Sequence, residues 1–210
     1  NNSNIKIYNS YKGLNISNIG ILGEITEDDI VIQAPYMQLR AIKINNSLVI
    51  ESELFPTAVL CDVKKVDFEN SQVIIKNYKF IDSMPSEQEF TRVEPEENHK
   101  ISLFFEGHKI HADVKILDVS VGGVKITMSL LPAGFKVEDD LVVDMVFTMG
   151  AKPLIINTKA KVKKLIEGKK EFVVILLFDN DTKIKKLLTE YVANRQMALI
   201  REFKKLAQEL

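Results

Sequence analysis

The chain has 210 residues, 46% of them hydrophobic and 27% charged, and a formal net charge of −1 from 28 Lys and Arg against 29 Asp and Glu. That balance supplies a core and excludes the strongly basic footprint of a general nucleic-acid binder. A single cysteine, Cys61, excludes an internal disulfide and a cysteine-based zinc cluster; beside Leu60 at the end of an apolar run, it reads as a buried thiol.

In chain order, residues 1 to about 20 are rich in Asn and Ser and are expected to be loosely held. Two β-branched-rich runs, Ile25 to Ala34 and Gln38 to Ile44, read as strands separated by the breaker Ala34-Pro35. Asn45-Asn46-Ser47 before Leu48, Val49 and Ile50, and Asn70-Ser71 before Val73, Ile74 and Ile75, read as hairpin turns, because Asn tolerates the left-handed backbone that tight turns require. From Asp82 to Glu89 the composition turns polar and acidic around Pro85, and a linker is expected there. This predicts an N-terminal β domain over 1–84, a second domain over 85–181, and a helix over 182–210.

The strand rhythm resumes with Ile101 to Phe105, which ends at Glu106-Gly107. Ile110, Ala112, Val114 and Ile116 alternate with His111, Asp113 and Lys115. After Asp118-Val119-Ser120-Val121-Gly122-Gly123 a second alternating run begins with Val124, Ile126 and Met128. A break at Leu131-Pro132-Ala133-Gly134 precedes alternating runs over 141–148 and 156–163, and Phe172 to Phe178 completes the set. About six short strands with regular breaks fit a small antiparallel barrel. From Thr182 the chain runs without Gly or Pro to Leu210, with Asp181 as a plausible N-cap and apolar residues at Leu188, Val192, Leu199, Phe203, Leu206 and Leu210. This amphipathic helix is longer than a small barrel can cover, which leaves part of it for a partner or for self-association. The fold class expected is mainly β, with a small N-terminal β domain, a six-stranded antiparallel barrel and a long C-terminal helix.

The candidate sites are few. His108 and His111 lie three apart in an extended run and so face opposite sides, which disfavours a metal site with Asp113; His99 is the only other histidine. No Gly-x-x-x-x-Gly-Lys loop or Gly-x-Ser-x-Gly elbow occurs, and Ser120 has no histidine in a readable relation to it, so no enzyme is expected. Lys159, Lys161, Lys163, Lys164, Lys169 and Lys170 read as a solvated outer face, with an acidic partner as the other reading. No apolar run approaches the ~18 residues of a membrane-spanning helix. Nothing reads as a signal peptide, so a cytoplasmic protein is expected.

Asp118 and Ser120 offer an acceptor and a hydroxyl, and Gly123 permits a positive φ or a close backbone approach. Taken alone, the stretch is a turn between strands. Set after Gln88-Glu89-Phe90-Thr91-Arg92-Val93, the pattern Asp118-x-Ser120-x-x-Gly123 resembles the PilZ domain family, which carries Arg-x-x-x-Arg followed, after the next strand, by Asp/Asn-x-Ser-x-x-Gly. The resemblance covers residues from about 86 to 200, and a smaller β domain ahead of it is similar to flagellar-brake proteins. It implies a six-stranded barrel in a bacterial signalling protein that binds cyclic di-GMP and acts in motility or surface attachment. Arg92, Asp118, Ser120 and Gly123 match the family's binding positions, and Gln88 stands where the first arginine would be. A charge-assisted hydrogen bond is worth roughly 1.5–3 kcal/mol, so this replacement is expected to weaken binding by about tenfold to a hundredfold. Glu87, Glu89, Glu94, Glu96 and Glu97 around Arg92 act against a dianionic ligand in the same direction. The alternative is an adaptor or oligomeric scaffold that no longer binds the nucleotide. No cofactor is expected beyond that ligand.

Overall fold

The structure, a computed structural model, describes residues 3–26, 29–82, 90–149 and 152–209. The chain divides into two compact units, Asn1–Glu89 with Leu199–Leu210, and Phe90–Ala198.

In the first unit, β1 (Ser3–Tyr11), β2 (Leu14–Ile25), β3 (Ile30–Gln33), β4 (Ser47–Glu51), β5 (Ala58–Asp67) and β6 (Gln72–Ile81) close an antiparallel barrel in the order β1-β2-β3-β6-β5-β4. The Asn- and Ser-rich start, expected to be loose, is instead β1 and the beginning of β2. Ile5 and Ile7 point into the core. Lys12 and Gly13, both at positive φ, form the two-residue loop between paired Tyr11 and Leu14. The amides that made the segment look disordered are structural: Asn9 donates to the Asn45 side chain at 3.0 Å and to the Ser47 carbonyl at 2.7 Å.

Gln38 to Ile44 is likewise not a strand but part of helix α1 (Tyr36–Asn45). Leu39 and Ile42, three apart, share the face turned to the barrel core. Gln38, fully buried, donates to Asn9 at 2.7 Å and accepts from Asn18 at 2.9 Å. The Arg40 guanidinium lies between the Tyr36 and Phe68 rings, 4.7 and 4.3 Å from their centroids. Asn46 does adopt the left-handed conformation, as the C-cap of α1, with its N–H on the Ile42 carbonyl at 2.8 Å, and not as a hairpin turn. The expected β5–β6 hairpin is present, with Ser71 as its left-handed residue. Asn70 donates its backbone N–H to Asp67, whose carboxyl that bond, first among several, holds down at about 2.

In the second unit, β7 (Lys100–Phe105), β8 (His108–Lys109), β9 (Val114–Val119), β10 (Gly123–Met128), β11 (Asp140–Met149), β12 (Lys152–Glu167) and β13 (Phe172–Phe178) form a seven-stranded antiparallel sheet in the order β8-β7-β11-β12-β13-β10-β9. The mainly β class, the six-stranded antiparallel barrel and the long C-terminal helix are all present. The ring closed by strand pairing, however, is the N-terminal one. The alternating run Ile110 to Ile116 is not one strand. The Glu106-Gly107 turn produces the two-residue β8, and β9 starts only at Val114, because Asp113 is held by Ser129 through two bonds of 3.0 and 3.1 Å.

Val124, Ile126, Met128, Val143, Met145, Phe147, Ile156, Val162, Val174 and Leu176 fill the inner side of this sheet, while Lys159, Lys161 and Lys163 are exposed on β12. Helix α2 (Thr182–Glu209) starts at Asp181, whose carboxylate accepts from the N–H groups of Lys183 and Ile184 at 2.7 and 3.1 Å. Its Tyr191 ring stacks on Phe147 at 4.3 Å. In the first unit, the last turns bury Leu199, Phe203 and Ala207, with Phe203 5.2 Å from the Tyr11 ring and Glu202 accepting from the Tyr11 hydroxyl at 2.8 Å. Leu199 and Phe203 of the apolar stripe are thus covered by the chain itself, while Leu206 is half-buried. No helix among the described residues is long and apolar enough to cross a membrane.

Candidate functional site

The corner at Asp118–Gly123 is built by backbone first. Val93 and Val119 exchange both N–H···O bonds at 2.9 Å, and both side chains are fully buried. This one bridge lays the segment from Phe90 to Val93 against the end of β9. Arg92 and Asp118 are thereby brought together: Arg92 Nη1 donates to Asp118 Oδ1 at 2.5 Å, with the two side chains 27% and 19% exposed.

Ser120 closes the turn. Its N–H and its hydroxyl both donate to the Gly123 carbonyl, at 2.9 and 3.2 Å, and the residue is 1% exposed. The hydroxyl therefore points into the turn, where it shapes the corner. Gly123 is demanded by proximity and not by φ: a Cβ there would lie 2.2 Å from the Leu176 carbonyl oxygen of β13, and its φ is not positive. At Gly122 a Cβ would stand 2.9 Å from the Phe90 ring, so that ring packs directly against the glycine.

Sequence reasoning gave Phe90 no role, although it lies within the motif segment. It also missed Lys125, which pairs directly with Asp118 across β9 and β10 and so shares its face. Gly123 pairs with Leu177, which in turn pairs with Lys161. Strand registers alone would have found both lysines, had the strand ends been legible. The segment after Val93 is pinned as well. Arg195 Nε donates to the Glu94 carbonyl at 2.8 Å, and His99 Nδ1 donates to the Glu96 carbonyl at 2.8 Å while its Nε2 accepts from Ile116 N–H at 3.4 Å. Gln88 lies outside the described residues, as does most of the expected linker.

The arrangement offers one guanidinium with donors left over after its bond to Asp118 and one carboxylate with further acceptor capacity. Among the described residues, no group of three His, Cys, Asp or Glu is placed to hold a metal ion.

No family model matches the chain, and no curated protein is similar to it. Solved structures similar to it include K. pneumonia MrkH in complex with c-di-GMP, at 15% identity over 95% of this chain and 89% of that one, TM-score 0.48. Others are the Bacillus subtilis inhibitor of motility MotI/DgrA (14%, 93% and 96%, TM-score 0.45) and Escherichia coli YcgR with c-di-GMP (15%, 98% and 88%, TM-score 0.44).

Proposed function

We propose that the chain is a non-enzymatic PilZ-type signalling protein that receives cyclic di-GMP at the Arg92–Asp118 corner, with affinity reduced by Gln88. The observation that carries the reading is the Arg92–Asp118 ion pair, anchored by the Val93–Val119 bridge beside Gly123. Guanidinium donors suit a phosphate or the O6/N7 edge of guanine, and a carboxylate suits the guanine N1 and N2 donors. Because Asp118 already engages Arg92, the ligand has to share that guanidinium, and the exposed Glu94, Glu96 and Glu97 oppose its charge. Lys125 opposite Asp118 acts in the other direction.

Titration calorimetry of the full chain with cyclic di-GMP tests this. Saturable binding is expected, lost in Arg92→Ala and strengthened tenfold or more in Gln88→Arg; no heat up to about a millimolar would overturn it. The exposed glutamates around the lone Arg92 favour a second reading, an adaptor that has lost the ligand. In that case Gln88→Arg alone would not restore binding, and a protein partner would carry the function.

A further inference from the structure

The N-terminal barrel holds a cavity of about 300 Å³ that the proposed signalling role does not use. Its cause is a mismatch of strand lengths. The four-residue β3 pairs with β6 only over Gln72–Ile75, so β6 runs on to Ile81 with no β3 neighbour. Beyond Ile75, Tyr78 pairs with Cys61 and Phe80 with Val59, which puts both rings on the interior face of the sheet. Among the described residues they are left largely open: Tyr78 is 62% and Phe80 55% exposed, with only the Phe55 ring edge-on to Phe80 at 6.4 Å, and Ile25 across the opening is 61% exposed. The floor, in contrast, is formed by Ile5, Ile50, Val59, Cys61 and Ile75, none more than 4% exposed. The result is a funnel with an exposed apolar mouth and a buried apolar floor.

Its chemistry restricts the occupant. Among the described residues, the polar side-chain atoms in the lining are the Cys61 sulfur, which bonds the Val59 carbonyl at 3.8 Å, and the Tyr78 hydroxyl at the mouth. Water needs two to four partners to stay in such a space, and this floor supplies none. A peptide segment would bury N–H and C=O groups without acceptors or donors. An uncharged hydrocarbon meets neither penalty. An apolar cavity of about 150 Å³ holds benzene, so this one accommodates a chain or fused ring of about ten carbons.

We propose that the mouth of the N-terminal barrel binds one small apolar molecule, a hydrocarbon chain or compact ring system that enters past Ile25, Tyr78 and Phe80 and rests on Val59 and Cys61. The test uses the full chain and naphthalene, an uncharged ten-carbon fused ring, with binding followed by titration calorimetry. Saturable binding of one probe per chain is expected, with displacement by decanol. Val59→Trp fills the floor and Ile25→Glu places a charge at the mouth; each is expected to weaken the probe at least tenfold. Should Val59→Trp fail to fold, the exposed Ile25→Glu decides alone. Absence of saturable binding, or binding that survives Ile25→Glu unchanged, would overturn the proposal. Cyclic di-GMP titration of the same variants is expected to be unaffected, which keeps this result separate from the fate of the Arg92–Asp118 reading.

Discussion

In the N-terminal barrel the buried amides satisfy one another: Gln38 bonds Asn9 and Asn18, and Asn9 reaches Asn45 and Ser47, while the buried Arg40 guanidinium lies against the Tyr36 and Phe68 rings. In the C-terminal sheet the polar residues of interest are charged and half-exposed, Arg92 against Asp118 at the end of β9. The difference separates scaffold from site. An amide network spent largely on its own members serves to fix α1 on the barrel. An ion pair with spare donors and acceptors at the surface can exchange partners at little cost. Both units also contain a glycine imposed by backbone proximity. A Cβ at Gly20 would meet Ile7 Cδ1 at 2.3 Å and the Gln33 carbonyl at 2.9 Å, and one at Gly123 would meet the Leu176 carbonyl at 2.2 Å. In the barrel the nearest atom is the end of a side chain that can turn away; at the corner it is backbone.

The largest effect follows from that contrast. Gly123→Ala is expected to destabilise the chain by about 3 kcal/mol, at the upper end of overpacking costs, because β10 and β13 must separate. Gly107, at φ +81 with open space around it, supplies the control. Gly107→Ala is expected to cost about 1 kcal/mol through backbone strain alone. Urea unfolding of the two variants checks the order; equal costs would mean that Gly123 serves no steric purpose.

Next comes Gln38→Ala, expected to cost about 2–3 kcal/mol, since it leaves the buried Asn9 carbonyl oxygen unpaired, removes the partner of the half-buried Asn18 and opens space beneath α1. The loss should appear in the unfolding of the N-terminal unit, followed by hydrogen exchange at β1 and β2.

The same contrast governs how much was legible in the sequence. Most strands from Ile101 to Phe178 show a period of two because one face is buried, although the run Ile110 to Ile116 alternates without being one strand, and the Asp118–Gly123 corner stood out through its glycine and its spacing from Arg92. Helix α2 was readable from its stripe and from Asp181. In the N-terminal half, buried amides replaced the apolar residues that pattern reading depends on. Asn9 made β1 look disordered, and Ile42 and Ile44 made α1 look like a strand, although Gln38 and Leu39 buried side by side require a tertiary partner that no local pattern reveals. At the site, Phe90 over Gly122 and Lys125 opposite Asp118 were hidden for a similar reason: both depend on register, which is set by pairing across the sheet.

A smaller effect on stability is expected at the ion pair. Asp118→Ala should cost about 1 kcal/mol or less, as for a pair in partial contact with solvent, and the cost should shrink in high salt. On the proposed function the same substitution lowers cyclic di-GMP affinity at least tenfold. A large loss of stability with no change in affinity would move the pair from site to scaffold and remove the contrast between the two units.

The smallest effect, and the one that depends on pH, is at Tyr191. Its ring is buried against Phe147, and its hydroxyl touches the Glu96 backbone without a well-directed hydrogen bond. Burial, only partly offset by the Glu96 backbone and Arg195, pushes the phenol from 10.0 up to about 12. A raised value in the folded state means that the stabilisation is fully present below pH 10. It is lost progressively as the pH rises toward 12, because the unfolded chain ionises first. Tyr191→Phe keeps the stacked ring and removes the hydroxyl, so near pH 7 its stability should lie within about 1 kcal/mol of the parent chain. Between pH 10 and 12 the variant should become the more stable of the two. Cys61, pushed up to about 12 by burial and by Asp62, adds an alkaline loss of its own, but it is common to both chains and cancels in their difference. Urea midpoints measured across pH 7 to 12 would check the crossing. Parallel curves would show that the Tyr191 hydroxyl reaches solvent in the folded state, and that the contact between α2 and the segment following Arg92 is looser than its geometry indicates.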